Sequence, residues 1–420
     1  MDKLIIEGGK KLTGEIIVSG SKNACLPILA ATLLTDDTCV IRNAPKLRDI
    51  ATMAKLLRSL GKGVDIEKDK LVVTGKGHLS HVADYKLVST MRGSFCVLGP
   101  LLAKLGKAKV SLPGGCIIGV RPVDLHIKGL EALGTKTSYE NGYVLAIAKR
   151  LRGAQVYLGG IFGSSVLATA NVMMAATLAA GETIIESAAC EPEVEDLGNF
   201  LISMGAKIKG HGAPRIIISG VKKLHGTDYR IINDRIEAGT FLLMAAATRS
   251  PITIRGAQYN HLLALINYLE DAGIHVQKGN NFIKLKNVGR MHSVNITAHP
   301  YPGFPTDLQA QFMALMAMTP GISVIIDKVY PDRFMHIAEL NRMGANIRRE
   351  GGNAIIQGVK VLHGAPVMAS DLRASAALVI AGLAAEGKTE IHRIYHLERG
   401  YEFLDEKLKN VGAKVHREKE

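Results

Sequence analysis

The chain has no tryptophan, and only 5% of its residues are aromatic. Proteins that hold single-stranded nucleic acid stack bases on such rings, so few platforms exist for that purpose. Five cysteines, at 25, 39, 96, 116 and 190, form no CxxC pair and are odd in number. That argues against both a disulfide framework and a zinc ribbon. The histidines show no HExxH or other ligand spacing, so metal chemistry has no support. No GxGxxG opens a helix after a strand, which leaves dinucleotide binding unsupported. The longest charge-free apolar runs, such as Ala374 to Ala385, fall short of the ~18–20 residues a membrane span needs. The first twenty residues alternate and carry charges where an export signal needs an uninterrupted apolar stretch. Together these absences predict a cytoplasmic chain without membrane insertion.

What is present describes a globular protein. Hydrophobic residues make up 47% and charged residues 21%, a balance that excludes a disordered chain. A length of 420 residues exceeds one ordinary core and predicts two domains. The excess of 52 Lys+Arg over 38 Asp+Glu gives +14, which suits an anionic partner. No Lys/Arg run is longer than two, so that partner is not expected to be nucleic acid.

The glycines carry a repeat. LLRSLGKGVDI, GLEALGTKTSY, FLISMGAKIKG, YLEDAGIHVQK, ELNRMGANIRR and KLKNVGAKVHR each read as a helix end, a glycine and an alternating strand. Their glycines, Gly61, Gly134, Gly205, Gly273, Gly344 and Gly412, lie 68 to 73 residues apart. Glycine belongs just past a helix because it enters the left-handed conformation at little cost. After each glycine strand come a second strand pair, an apolar helix rich in Ala and Met, a short strand and a more polar helix, about four strands and two helices to a unit. Helices apolar on nearly every face are buried ones. A solenoid is the alternative, but its repeats usually run about 20–47 residues. The sixth unit stops at AKVHREKE, and residues 1–20 supply strands with no helix before them, so the two ends are expected to pair. Six units divided three and three predict one domain over 22–231 and another from 1–21 with 232–420, joined by two crossings with a hinge and a cleft.

Helix starts are where chemistry is expected, because their unpaired N–H groups favour anions. Five of the six apolar helices begin among charged or polar residues: Lys22 and Asn23; Arg92; Asp234, Arg235 and Glu237; Asp307; Asp371 and Arg373. The third start, GGIFGSS, is uncharged. Asp307 and Asp371 each fit a helix N-cap as well as a catalytic role. In SLPGGCIIGVRPVDLHIKGL, Cys116 sits between glycines with Arg121 five residues on. Cations and a Gly-rich loop tune thiol reactivity, so a reactive and a structural role both stay open for it. Cys25, Cys39 and Cys96 lie in or beside apolar runs and read as small buried hydrophobes, while Cys190 is ambiguous. Glu191 and Glu193 fit a helix N-terminal turn.

The segments SGSKNACLPILAA, PKLRDI, PGGCxxGxRPVDLHxxGL, EPEVEDLGNFL, DRIEAGTF, FPTDLQAQFMAL, DRFMHIAELNRMGA, DLRASAALV and IYHLERGYE cover the whole chain. With them the sequence resembles the enolpyruvyl transferase family, in the branch that acts on UDP-N-acetylglucosamine at the first committed step of peptidoglycan synthesis. The resemblance implies an α/β fold, an inside-out α/β barrel of two domains, each with three βαβαββ repeats around buried helices. It implies transfer of the enolpyruvyl group of phosphoenolpyruvate to the 3-hydroxyl of the GlcNAc moiety, with release of phosphate by addition and elimination. No cofactor is implied, the partners are the two small-molecule substrates, and the chain is expected to act as a monomer. Cys116 is implied as the proton donor to carbon 3 and Asp307 as the base toward the sugar hydroxyl, with Lys22 and Arg399 completing the catalytic set. Lys22, Arg121 and Arg399 would hold the phosphate, and Arg92 and Arg373 would complete the cationic pocket. Asn23, Pro122, Val123, Asp124, Leu125, Arg92, Asp307 and Val329 match positions that contact substrates, largely the UDP-sugar. Cationic neighbours lower a thiol pKa from ~8.5, so a proton-donating Cys116 needs substrate anions to neutralise them in part.

One departure stands out. Where many members read KVSVGAT, this chain has GSSVLAT, so Gly163 holds the place of a lysine and Leu167 that of a glycine. Contacts from 163–166 to the nucleotide are the expectation this alters. The shikimate branch of the same family is disfavoured by PGGCxxG and by Asn23, and a non-catalytic paralogue by the complete Cys, Lys, Arg and Asp set.

Overall fold

The computed structural model describes residues 2–67, 70–114 and 123–420. Cys116, Arg121 and Pro122 lie outside the described residues. The rest divides into two compact units, the first between Gly20 and Ile232, the second built from the residues up to Ser19 together with Asn233–Glu420.

Each unit contains three four-stranded sheets of one design: two parallel strands, then two antiparallel ones. In the first unit, Asp228–Arg230 runs parallel to Cys39–Arg42, which is followed by Lys70–Gly75 and Lys62–Ile66. The same order recurs with Val82–Ala83, Lys107–Ser111, Tyr143–Ile147 and Lys136–Glu140, and with Gln155–Tyr157, Glu182–Glu186, Arg215–Ser219 and Lys207–Lys209. In the second unit it recurs with Gly14–Ile17, Ile252–Arg255, Phe282–Val288 and Ile274–Gly279, and with Ile296–Ala298, Ile322–Asp327, Asn353–Gln357 and Asn346–Glu350. The last sheet is composite. Pro366–Met368 and Lys388–His392 are followed by Asp2–Glu7, from the start of the chain, and then by Lys414–Lys419. Leu4 faces Arg417 and Ile6 faces Val415, so the chain ends pair as the incomplete sixth repeat requires.

Many of the strands bury one face only. Along Arg215–Ser219, Ile216 and Ile218 are buried while Ile217 is half-buried, as a period of two demands. The six repeat glycines all sit in the left-handed region, from φ +82° at Gly273 to +103° at Gly61. At Gly61 a Cβ would also come within 2.4 Å of the His78 carbonyl oxygen, so the turn excludes any side chain.

The buried faces close over the apolar helices. Lys22–Ala31, Leu98–Leu105 and Val166–Ala176 belong to the first unit's core, and Arg235–Ala247, Gln309–Met316 and Leu372–Ala384 to that of the second. In Leu372–Ala384 every residue from Arg373 to Leu383 is buried. Asn171, fully buried on Val166–Ala176, accepts from the Gly99 N–H at 2.8 Å and donates to the Phe95 carbonyl at 3.0 Å, so a polar group inside a helix core is satisfied. Burial pushes the thiols of Cys25, Cys39 and Cys96 up, that of Cys96 to about 12. Cys190 is half-buried and shifted the same way, first by burial and then by Glu191. Among the described residues no helix is long and apolar enough to cross a membrane.

Side-chain caps begin four of these six helices. Ser21 and Ser165 each accept a backbone N–H three residues on, at 3.3 Å. Asp371 accepts from the N–H groups of Arg373 and Ala374 at 2.8 and 3.1 Å, and Asp234 does the same for Ile236 and Glu237 at 2.8 and 3.0 Å. Replacing Asp371 by Ala should cost about 1 kcal/mol and Asp371→Asn clearly less. Urea unfolding of the three proteins measures this, and equal stability of the two variants would contradict a capping role.

Candidate active site

In the first unit, Lys22 opens its helix with Ser21 as cap. Its ammonium lies 3.5 Å from the Asp49 carboxylate, which the helix Arg48–Ser59 supplies, and the side chains are only 11% and 8% exposed. The cation is therefore held in place rather than extended into water. Asn23 is half-buried beside it. Arg92 begins the 3₁₀ turn Arg92–Val97 and is half-buried. Its charge reaches buried His126, whose imidazole is pushed down to about 3 by burial first and by Arg92 second. The neutral ring accepts from the Asn171 amide at 2.8 Å and meets the edge of Phe95.

Val123 is buried just ahead of the helix Asp124–Ala132, on which Asp124 is exposed and Leu125 half-buried. The short hairpin of Gly159–Gly160 and Gly163–Ser164 rests on Leu125, close enough that a Cβ at Gly160 would be 3.2 Å from Leu125 Cδ1. Gly163 has φ +90°, where a lysine would be strained. The departure at 163 thus removes a cation and puts glycine where the backbone suits it.

In the second unit, Asp307 lies in the single turn Thr306–Leu308 and does not cap the helix that follows. Its two oxygens face two guanidiniums instead, Arg333 at 2.8 Å and Arg373 at 2.9 Å. The Asp307 side chain keeps 26% exposure, whereas those of Arg333 and Arg373 keep 6% and 3%. Burial alone would raise the carboxyl pKa, but Arg373 and Arg333 overcome it and hold Asp307 well below the usual carboxylate range. Asp371, expected in the same cap role, does take it. The difference comes from partners 26 and 66 residues along the chain.

Asp327 shapes the surroundings. It accepts from the Thr306 hydroxyl at 2.6 Å and from the N–H groups of Val329 and Tyr330 at 2.9 and 2.7 Å, which fixes where half-buried Val329 sits. Arg333 also donates to Thr306 at 3.1 Å. Arg399 ends the 3₁₀ turn Ile394–Arg399 half-buried, and His396 on the same turn is lowered by burial and then by that guanidinium. His336, 1% exposed beside Arg333 and Asp371, is lowered to about 4, chiefly by burial.

Of the expected residues, then, Asp307 and Arg373 are in direct contact, and Leu125 lies by the 159–164 hairpin, with Val123 and Asp124 just before it in the chain. Arg333 was passed over because it does not stand at a helix start, although the DRFMHIAELNRMGA motif contains it. Chemically, the Asp307 cluster can hold an anion on two buried cations and keep a carboxylate beside it.

A family model described as EPSP synthase (3-phosphoshikimate 1-carboxyvinyltransferase) matches residues 6–408. The chain is 52% identical over 417 residues, 99% of each chain, to the UDP-N-acetylglucosamine 1-carboxyvinyltransferase of Methylacidiphilum infernorum. It is 53% identical over 420 residues, all of both chains, to the protein of that name from Lawsonia intracellularis. Among solved structures it is similar to the enolpyruvyl transferase NikO from Streptomyces tendae, with TM-score 0.90, 24% identity and 99% of each chain covered. EPSP synthase from Acinetobacter baumannii follows, with TM-score 0.76, 18% identity and full coverage of both. At these identities the two structures speak for the fold alone.

Proposed function

The chain belongs to the EPSP synthase family of enolpyruvyl transferases, and from that membership we infer which acceptor it uses. It transfers the enolpyruvyl group of phosphoenolpyruvate to the 3-hydroxyl of the GlcNAc moiety of UDP-N-acetylglucosamine and releases phosphate, a reaction of peptidoglycan synthesis. The observation that carries this is full-length identity of 51–53% to four proteins of that name.

The roles of individual residues extend the reading. Carbon 3 of phosphoenolpyruvate takes a proton, the sugar oxygen adds to carbon 2, and the ketal loses phosphate as carbon 3 returns a proton. Cys116 is read as the donor to carbon 3, Asp307 as the acceptor of the hydroxyl proton, and Lys22, Arg121 and Arg399 as holders of the phosphate. Arg92, Arg373 and the newly found Arg333 complete the cationic set, and Asn23, Pro122, Val123, Asp124, Leu125 and Val329 receive the UDP-sugar. What supports the Asp307 cluster is its geometry: two buried guanidiniums with a carboxylate between them. A carboxylate held so low is a weak base. Phosphoenolpyruvate brings anions of its own, and one that draws on Arg333 or Arg373 would loosen their hold on Asp307 as the substrate arrives. The same reading takes the three repeats of each unit as an inside-out α/β barrel, with domains 22–231 and 1–21 plus 232–420. It takes the protein as a monomer working in the cytoplasm.

Phosphate release with phosphoenolpyruvate and either UDP-N-acetylglucosamine or shikimate 3-phosphate tests the acceptor. Turnover is expected with the first and not with the second, and the reverse would overturn the assignment. Full activity in Cys116→Ala would remove that residue from the chemistry.

A further inference from the structure

Arg373 is held at three points. Its backbone N–H donates to Asp371, one terminal nitrogen (Nη2) donates to Asp307 at 2.9 Å, and the other (Nη1) donates to the Tyr401 hydroxyl at 3.1 Å. The two side-chain bonds differ in kind. Asp307 is a quarter exposed and is the group whose charge must be shared with a substrate, so that bond is exchangeable. Tyr401 is 3% exposed, and its bond lies inside the core.

The hydroxyl itself is fixed by a chain of donors and acceptors. Thr240 donates its proton to the Ile236 carbonyl at 2.8 Å, leaving Thr240 Oγ1 as acceptor for the Tyr401 proton at 3.0 Å. The Tyr401 oxygen then presents its lone pairs to Arg373 and to the Gln311 amide, 3.2 Å away, which lies equally close to Thr240 Oγ1. Gln311 is anchored in turn on the Asp307 carbonyl at 2.8 Å. Tyr401 is thus obliged to be an acceptor toward Arg373, and its ring packs 5.5 Å from the guanidinium carbon.

With one N–H of Nη1 committed to Tyr401, the edge formed by Nε and Nη2 is the one that holds an unfilled donor. That edge is half used: Nη2 reaches Asp307, and buried Nε has no hydrogen-bond partner. A carboxylate or phosphate engages such a fork with both nitrogens at once. An unpaired buried donor is costly in a resting protein and is accounted for if a ligand anion supplies the second acceptor.

We propose that Tyr401 is a positioning residue for the reaction: its buried hydroxyl anchors Nη1 of Arg373 and thereby aims the Nε and Nη2 edge at an anionic group of phosphoenolpyruvate. This rests on the reading of Arg373 as a holder of substrate anion. Tyr401→Phe keeps the ring and removes only the anchor. A hydrogen bond to a charged group is worth enough that the KM for phosphoenolpyruvate should rise roughly 10-fold, with kcat within about 3-fold and the KM for UDP-N-acetylglucosamine unchanged. In an Arg373→Lys background, Tyr401→Phe should add nothing further, because the planar fork it aims is gone. Thr240→Val, which takes away the acceptor of the Tyr401 proton, should raise the same KM less, and it serves if Tyr401→Phe does not fold. If Arg373→Ala raises that KM while Tyr401→Phe and Thr240→Val leave it at the wild-type value, the role of Tyr401 is overturned and that of Arg373 survives. If Arg373→Ala leaves it unchanged, the underlying reading fails instead. Independent, additive losses from Tyr401→Phe and Arg373→Lys would also overturn the proposal.

Discussion

Asp307→Asn should lower kcat by roughly 10²–10⁴-fold, the usual contribution of a positioned general base. The amide keeps the size of the side chain but can take no proton from the sugar hydroxyl. It also removes the negative charge between Arg333 and Arg373, which now sit 2.8 and 2.9 Å from the carboxylate. Those cations should then hold a free anion more tightly, so inorganic phosphate is expected to bind better to the variant than to the wild type. Steady-state phosphate release and calorimetric phosphate titration measure the two effects. They separate a base from a structural counterion. A variant with wild-type kcat and tighter phosphate would leave Asp307 only the counterion role, and loss of both activity and phosphate binding would point to a collapsed site.

His126→Gln should make the protein less stable near pH 7.5 and yet close the gap to wild type by about 1.4 kcal/mol for each pH unit between 6.5 and 4. In the unfolded chain an imidazole takes up a proton near 6.5. In the folded first unit, burial and Arg92 keep His126 neutral down to about 3. Between those values the unfolded state binds the extra proton, so stability falls as pH falls. His336, lowered to about 4, adds the same slope in the second unit. Asp196 acts oppositely: burial raises it to about 6, so from there down to ~3.9 the folded state holds the proton. Wild-type acid sensitivity is therefore a difference between opposing groups, and the single-site variant isolates one of them. Glutamine can still accept from the Asn171 amide, which keeps that network intact. Urea unfolding at several pH values gives the comparison, and parallel curves for the two proteins would mean that His126 is not buried neutral.

Much of the fold was legible because glycine leaves an unambiguous mark. Gly61, Gly134, Gly205, Gly273, Gly344 and Gly412 needed positive φ, and their spacing counted the units before any strand was placed. The composite sheet was legible for the opposite reason, since residues 1–20 had strands and nothing local to pair with. The site was only half legible. Asp307 and Asp371 stand before apolar helices in much the same way, and the short-range pattern gives both the look of a cap. Which one is a cap depends on Arg333 and Arg373 arriving from elsewhere in the chain, and local pattern holds no record of that. Tyr401 escaped notice because a tyrosine beside a glycine reads as core. Only its neighbours Thr240 and Gln311, 161 and 90 residues away, turn its hydroxyl into an acceptor. At 163 the motif shows a glycine in the place of a lysine, whereas the positive φ that suits glycine there is visible only in the structure.

The strand Asp2–Glu7 lies between Lys388–His392 and Lys414–Lys419. Residues 20–232 hold all the strands of their own three sheets, so the first unit can settle by itself. Leu4, Ile5 and Ile6, all buried, gain their strand partners only from residues near 390 and 416, the kind of long-range pairing that slows folding and meanwhile leaves an apolar strand open to aggregation. Refolding of the second unit should therefore lag behind that of the first.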